Sequence, residues 1–552
     1  MVKSGLFYSF GIGFWGPNGH DGVWHIALAE SLSRGNWHMP IFAGETIKNY
    51  HLGFDLIIAI FHKFTFIPIP TLYFQIIPPL LALFLGFFVY RFVHLWQKNK
   101  TKAFWSVFFT YFAGSFGWIV SLIREGRIDG ESIFWAQQPI SSLINPPFGL
   151  SIVFIFASLY LLLLALKSGK NSRMKYLTLS VFLLGSLAQI KVYAVILILA
   201  GLFAGGFWQL LKERNILLIK VATSVLIISI LVFSPITRGV GKMLVFRPFW
   251  FLETMMLDSD RIGWNKFGEA MINYKLGQIW FKEFLAYSVA LLIFILGNFG
   301  TRVLAFFWFW KKGFKFNRYQ YIDVLITTVI ILGIILPLFF IQTGTPWNTI
   351  QFMYYSLLFS GILAGVVLGE IFEKLKKKTL AIYTVKTALV FLTLPTTFGT
   401  LWYHYLPKRP PAMISRYEIE ALNFLAKLPD GVVLTQPFDK DKAFAVQLNP
   451  PRPLYLYEST AYVSAFSRKQ TFIEDEVNLE ITGYYWKDRK EKVEPFFEKN
   501  CKVDKSFFGD NNISYVYLIK QNLCNKEFED LGNKLFENLE VVIYKISDSD
   551  RS

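Results

Sequence analysis

Apolar residues in this chain run unbroken for long stretches instead of alternating or recurring every third or fourth position. Ten such runs occupy approximately 72–93, 103–122, 148–166, 174–190, 193–211, 217–234, 284–309, 320–341, 350–372 and 379–402. A helix needs about 20 apolar residues to cross roughly 30 Å of hydrocarbon. The pattern therefore predicts a mainly α, polytopic membrane helix bundle of about 10–11 spans. Gln189-Ile190-Lys191 separates two runs that a coarse window would fuse.

After Tyr403 the pattern changes. Pro407, Pro410 and Pro411 mark a boundary, and strand-like runs follow at Val432–Leu434, Tyr515–Ile519 and Val541–Tyr544. Helical stretches such as 416–428 and 526–538 alternate with them. The chain thus divides into a transmembrane domain, 1–403, and a small soluble α/β domain, 407–552.

Composition sharpens the first reading. Hydrophobic residues make up 53% and charged residues 17%, against a usual charged share of about 25%, and mean hydropathy is +0.40. That balance excludes a disordered chain, a coiled coil and a cytosolic multidomain enzyme. A net charge of +17 then needs a location. Five short connections, Arg91–Lys102, Lys167–Lys175, Lys212–Lys220, Lys311–Arg318 and Glu370–Lys378, carry 19 Lys and Arg against 3 acids. Every second loop is basic, so these five are predicted to be cytoplasmic. The excess reports orientation, and nucleic acid is not an expected partner. Residues 407–552 carry 21 basic and 23 acidic side chains and are predicted to be extracytoplasmic. Cys501 and Cys524 both fall there, where disulfides persist; a bridge and two free thiols are both compatible with the spacing.

Residues 4–16 are apolar and aromatic but too short to cross a bilayer. They are predicted to be the outer half of a first helix, shortened in this chain. The first outer loop, 17–70, holds two short apolar helices, Ile26–Leu32 and Phe54–Phe64, of the size expected at a membrane interface. Asp21 stands at the membrane–water boundary, where desolvation raises a carboxyl pKa unless a cation or donor offsets it. Such a group is suited to general-base work; capping a helix that begins near Val23 is the plainer alternative. His20, His25, His38 and His51 share this loop with Glu30 and Glu45. His and carboxylates suit several divalent ions, yet no recognised metal-ligand spacing occurs. No cofactor is assigned beyond a possible divalent metal, and no residue is named as a metal ligand.

Gly19-His20-Asp21-Gly22-Val23-Trp24-His25, with the two loop helices, resembles the GT-C glycosyltransferase superfamily. Its protein O-mannosyltransferase, lipid A aminoarabinose transferase and Rgt-type branches share this layout, and the likeness covers residues 1–400. Those families usually carry paired acids in this loop, whereas Gly22 follows Asp21 here. The resemblance implies a GT-C-like fold in the plasma membrane and a polyprenyl-phosphate sugar donor. A saccharide, lipid or protein would be the acceptor. Asp21 would be the catalytic base, Glu45 a substitute, and His25 and His51 substrate-binding residues.

Other outer loops supply partners for such a donor. Lys191, Arg238 and Arg247 are candidate phosphate-binding cations, with Lys242 and Arg261 in the same 235–283 loop; arginine binds phosphate bidentately. Trp347 is placed to stack on a sugar or to join the aromatic belt. Asp129-Gly130-Glu131 is a weak acid-x-acid pattern. Glu474-Asp475-Glu476 and Tyr484-Tyr485-Trp486 are able to bind carbohydrate, but read first as surface charge and core aromatics. The leading expectation is an inverting membrane glycosyltransferase. The alternatives are a transporter or flippase of lipid-linked saccharides and a non-catalytic glycan-binding protein. No inverted repeat or pair of broken helices is visible in the sequence to favour transport.

Overall fold

Both ends of the chain meet in one folded unit. The computed structural model describes residues 1–137, 139, 141, 145–235, 244–313, 316–375, 379–497, 505–520 and 532–546. These form two compact units: a terminal unit from Met1–Pro78 and Tyr405–Ser552, and a helical unit from Pro79–Pro235 and Gly239–His404. Cys501, Cys524, Arg238 and Lys242 lie outside the described residues.

In the terminal unit, residues 4–16 are not part of a helix. They fold as a β-hairpin, Phe7–Tyr8 against Gly11–Phe14, and the second strand pairs antiparallel with Ala412–Ser415. The physical reason is glycine. Gly5, Gly11 and Gly16 all take positive φ, which an L side chain rarely adopts and no α-helix contains. At Gly11 a Cβ would also fall 2.0 Å from the Ile414 carbonyl oxygen. Arg452–Pro453 completes this four-stranded sheet.

A second sheet holds Val432–Thr435, Ile513–Ile519, Val541–Ile546 and Gly532–Glu537, in that spatial order. Three of these are the strands expected from the sequence, and Arg416–Lys427 is the expected helix, closed by a Ser415/Glu418 capping box. The helix expected over 526–538 is not formed at its described end. Gly532–Glu537 is a strand, because Asn538 turns the chain and lets it pair antiparallel with Val541–Ile546.

Helix α1 (Asp21–Ser33) is buried from Gly22 to Leu32, so it is a core helix and not an interfacial one. Burial on every face is possible because its polar side chains find partners within the unit: His25 with Asp55, Glu30 with Arg468 at 3.3 Å, and Ser31 Oγ with the Asn36 carbonyl. Helix α2 (Gly53–Thr65) differs. It buries Phe54, Asp55, Ile58 and Ala59 against the unit and leaves Leu56, Ile60, Phe61 and Phe64 exposed. An outward apolar face three residues before a membrane span suits an interface.

The helical unit makes this a multi-pass, membrane-embedded protein. Among the described residues, eight helices are long and apolar enough to cross a bilayer: Ile69–Gln97, Lys100–Glu125, Pro146–Lys167, Val192–Glu213, Trp280–Lys312, Tyr321–Phe339, Pro346–Leu375 and Leu380–Tyr405. The other two apolar runs are also helical, Lys170–Ser186 and Leu217–Phe233, each of 17 residues. Gln351–Leu375 packs closely on Lys100–Phe112, with Gly361, Gly365 and Gly369 along the contact. A Cβ at Gly365 would lie 2.3 Å from the Ser106 nitrogen, and small residues at this spacing let helix backbones approach in lipid.

Paired helix breaks are present, contrary to the sequence expectation. Lys100–Glu125 is interrupted between Phe112 and Gly117. Trp280–Lys312 is interrupted by a 3-10 turn, Gly300–Leu304. Backbone groups released in a membrane must be satisfied internally. Here Phe116 N–H donates to the Gly297 carbonyl at 2.9 Å and Gly114 N–H to that of Thr393 at 3.2 Å. The buried Arg302 guanidinium donates to the Asn298 carbonyl at 3.0 Å and to the Ala113 carbonyl.

Candidate functional site

The start of α1 brings together four ionisable groups of the terminal unit, His20, Asp21, Asp475 and Glu458. The helix begins at Asp21, with His20 in the cap position and no side-chain cap bond. Asp21 therefore occupies the first helical turn, where the helix dipole favours a carboxylate, and does not cap a helix starting at Val23. Its side chain is 47% exposed, so desolvation is weaker than the sequence suggested.

His20 lies between two carboxylates. Its Nδ1 is 3.2 Å from Asp21 Oδ1 and its Nε2 is 3.2 Å from Asp475 Oδ1. Burial alone would depress the imidazole pKa; the Asp475 charge and the hydrogen bonds to Asp21 and Asp475 outweigh it and hold His20 well above its ordinary value. With a carboxylate oxygen facing each nitrogen, a protonated ring donates through both. Asp475 is held in turn. It accepts from Asn478 N at 3.2 Å and Asn478 Nδ2 at 2.8 Å, on a backbone at φ 49°. Glu458 feels the same cluster: burial raises its pKa, His20 lowers it, and Asp21 and Asp475 raise it further.

One turn along α1, His25 faces Asp55 of α2, with Nδ1 2.7 Å from Oδ1 and both side chains buried. Burial pushes the Asp55 carboxyl up, with His25 pulling against it. The His25 ring stacks on Tyr73 at 5.7 Å and meets Tyr50 at 6.3 Å. Tyr50 in turn lies 4.5 Å from the ring of His51. The structure therefore brings Asp21, His25 and His51 into one neighbourhood. Glu45 is exposed, in a turn where its carbonyl accepts from Met39 N, and its charge acts on Arg489.

The remaining candidates belong to the helical unit. Lys191 is buried, 7% exposed, at the start of Val192–Glu213. Arg247 is exposed, and its N–H donates to the Phe339 carbonyl. Trp347 lines a cleft with Trp135, Trp250 and Arg261. Asp129 and Glu131 are engaged locally: Asp129 with His404 at 3.3 Å and Arg127 at 3.5 Å, Glu131 with Thr400 Oγ1 at 2.6 Å. Among the described residues no group of three His, Cys, Asp or Glu is arranged to hold a metal ion.

Two of the residues that complete the Asp21 cluster were not legible as such. Asp475 and its neighbours read as surface charge, yet Glu474, Asp475 and Glu476 are all buried; Glu474 alone accepts from Val463 N, Ser464 N and Thr471 Oγ1. Asp55 had a usable signal, a lone carboxylate in the apolar run Gly53–Phe61, where an acid needs a partner.

Chemically, the arrangement presents one accessible carboxylate, fixed by an imidazolium that a second, buried carboxylate fixes. Asp21 can accept a hydrogen bond or a proton from a hydroxyl, while the groups behind it are closed off. Compared with known proteins, the chain matches no family model and no curated sequence.

Proposed function

We propose that the protein is a multi-pass membrane glycosyltransferase, moving a sugar from a polyprenyl-phosphate donor to an acceptor hydroxyl with inversion at the anomeric carbon. The observation that carries this reading is Asp21, half-exposed and oriented through His20 by Asp475. Asp21 takes the acceptor's proton as the hydroxyl attacks. His20 and Asp475 act as positioning residues, fixing the carboxylate before substrate arrives, which is where a base gains its efficiency. The polyprenyl phosphate departs from the opposite face of the anomeric carbon as the leaving group.

The topology supports an outward-facing site in the plasma membrane. Because residues 1–78 and the described residues between 405 and 546 form one folded unit, they occupy the same side. The positive-inside rule assigns the five basic loops to the cytoplasmic side.

The test is transfer from a polyprenyl-phosphate sugar in proteoliposomes. Asp21→Asn is expected to lose at least about 100-fold in rate while inserting and folding normally; a fully active variant overturns the reading. The paired helix breaks favour a second reading, a transporter of lipid-linked saccharides. Under it, Asp21→Asn would still move labelled lipid across the bilayer.

A further inference from the structure

A second concentration of unusual side chains lies wholly within the helical unit. Three connections meet there: the loop holding Ser132, Trp135 and Gln137, the segment Trp250–Arg261, and the start of Pro346–Leu375 with Trp347 and Tyr354. Together they line an open cleft of about 420 Å³, within the usual range of about 300–1,000 Å³ for ligand sites. Indoles dominate its walls. Trp135 and Trp250 stand 5.4 Å apart with their planes at 40°, and Trp347 is half-exposed at the rim.

The backbone here is held against preference. Ser132 and Trp135 take φ of 55° and 76°, in the left-handed region that a bulky aromatic residue normally avoids. Strain of this kind persists where the surroundings over-determine it, and it concentrates at functional sites.

Hydrogen bonding is incomplete in a specific way. The Arg261 guanidinium lies 4.1 Å over the Trp135 ring, and its Nη1 donates to Ser132 O at 3.0 Å and Ser132 Oγ at 2.8 Å. Its Nη2 is 3.4 Å from Asp260. Two buried donors remain, Arg261 Nε and Trp135 Nε1, with no hydrogen-bond partner among the described residues. Trp135 itself is 8% exposed. Both residues belong to the lining of the cleft.

We infer that this cleft is a saccharide-binding site. An uncharged sugar offers an apolar C–H face to an accessible indole such as Trp347 and hydroxyl donors to a carboxylate such as Asp258. The cleft presents both features together. A phosphate or other anion fits less well, because the Nη1 and Nη2 ends of Arg261 are already engaged and Asp258 and Asp260 would repel it. The inference stands apart from the chemistry at Asp21: a transferase, a transporter and a non-catalytic binder could each carry this site.

The experiment measures binding, not turnover. Full-length protein in lipid nanodiscs, free of sugar-headed detergent, is titrated with cellobiose, maltose, lactose and chitobiose. Calorimetry and saturation-transfer NMR provide the readout. At least one disaccharide is expected to bind saturably. Trp347→Ala should weaken it about ten-fold, with Trp347→Phe retaining most of the affinity. Binding is read without donor or turnover, so a failed transfer assay and a failed binding assay remain separable. Absence of saturable binding by all four sugars overturns the inference. So does an affinity unchanged within about two-fold in Trp347→Ala.

Discussion

In the terminal unit the buried cation His20 is neutralised by side chains, Asp21 on one nitrogen and Asp475 on the other. In the helical unit the buried cation Arg302 is bound by main-chain carbonyls, those of Asn298 and Ala113. Both carbonyls belong to helix C-termini created by the two breaks, and each such terminus carries about half a negative charge. Two of them together offset a guanidinium. The contrast follows from solvent. A unit made of sheets and loops can bring distant carboxylates to a cation, whereas a bundle of apolar helices has few acids to offer and uses its own interrupted backbone. Arg302 is therefore tied to the breaks themselves: without the breaks it has no acceptors, and without it their carbonyls are stranded.

That dependence predicts the largest effect. Arg302→Met removes the donor from two buried carbonyls, and each orphaned group costs about 1–3 kcal/mol. A total loss of roughly 4 kcal/mol, seen as a collapse of the monodisperse peak in size-exclusion and a large drop in melting temperature, is expected. Arg302→Lys should recover part of it, since an ammonium can reach one carbonyl but lacks the forked geometry. A stable Arg302→Met variant would mean that the breaks are held by other contacts and would dissolve the contrast.

The sequence made these two regions unequally legible. Membrane helices announce themselves by the length of an apolar run, a local property, and all ten runs are helical. The breaks at Phe112–Gly117 and Gly300–Leu304 hide inside those runs, because Ala113, Gly114 and Gly300 are as apolar as their neighbours. In the terminal unit, Val432–Thr435 and Val541–Ile546 were legible as β-rich strands. The hairpin at Phe7–Phe14 was not, since its partner strand Ala412–Ser415 lies some 400 residues away. The same distance concealed Asp475 as the partner of His20. Asp21, the exposed member of the cluster, was visible because a lone acid beside aromatic residues is a local anomaly.

A smaller effect tests whether charge or merely hydrogen bonding matters in the terminal unit. Asp55→Asn keeps an oxygen to face His25 Nδ1, now 2.7 Å from the carboxylate, but removes the charge. A loss of about 1–2 kcal/mol is expected, measured by thermal or denaturant unfolding. Asp55→Leu should cost more, because His25 would be left buried without a partner. Equal costs for the two variants would show that the charge, rather than the hydrogen bond, supplies the whole effect.

The smallest effect is a matter of pH. His20 has a folded-state pKa well above 6.5, with Asp21, Asp475 and Glu458 facing it. A base whose pKa is raised by folding contributes stability in full below its unfolded pKa and loses it as pH climbs through the folded one. The His20 contribution should therefore be complete near pH 6, still substantial at pH 7, and lost at more alkaline pH. Asp21 is half-exposed, so its arm of the pair is screened by solvent and worth little; most of the effect, about 1 kcal/mol, rests on the buried Asp475 arm. Comparing wild type with His20→Gln by proteolysis of the terminal unit across this range isolates it. The gap between them should be widest at acid pH and close as pH rises. A gap that widens with pH would mean that His20 is held neutral, and the side-chain neutralisation that separates this unit from the helical one would fail at its central residue.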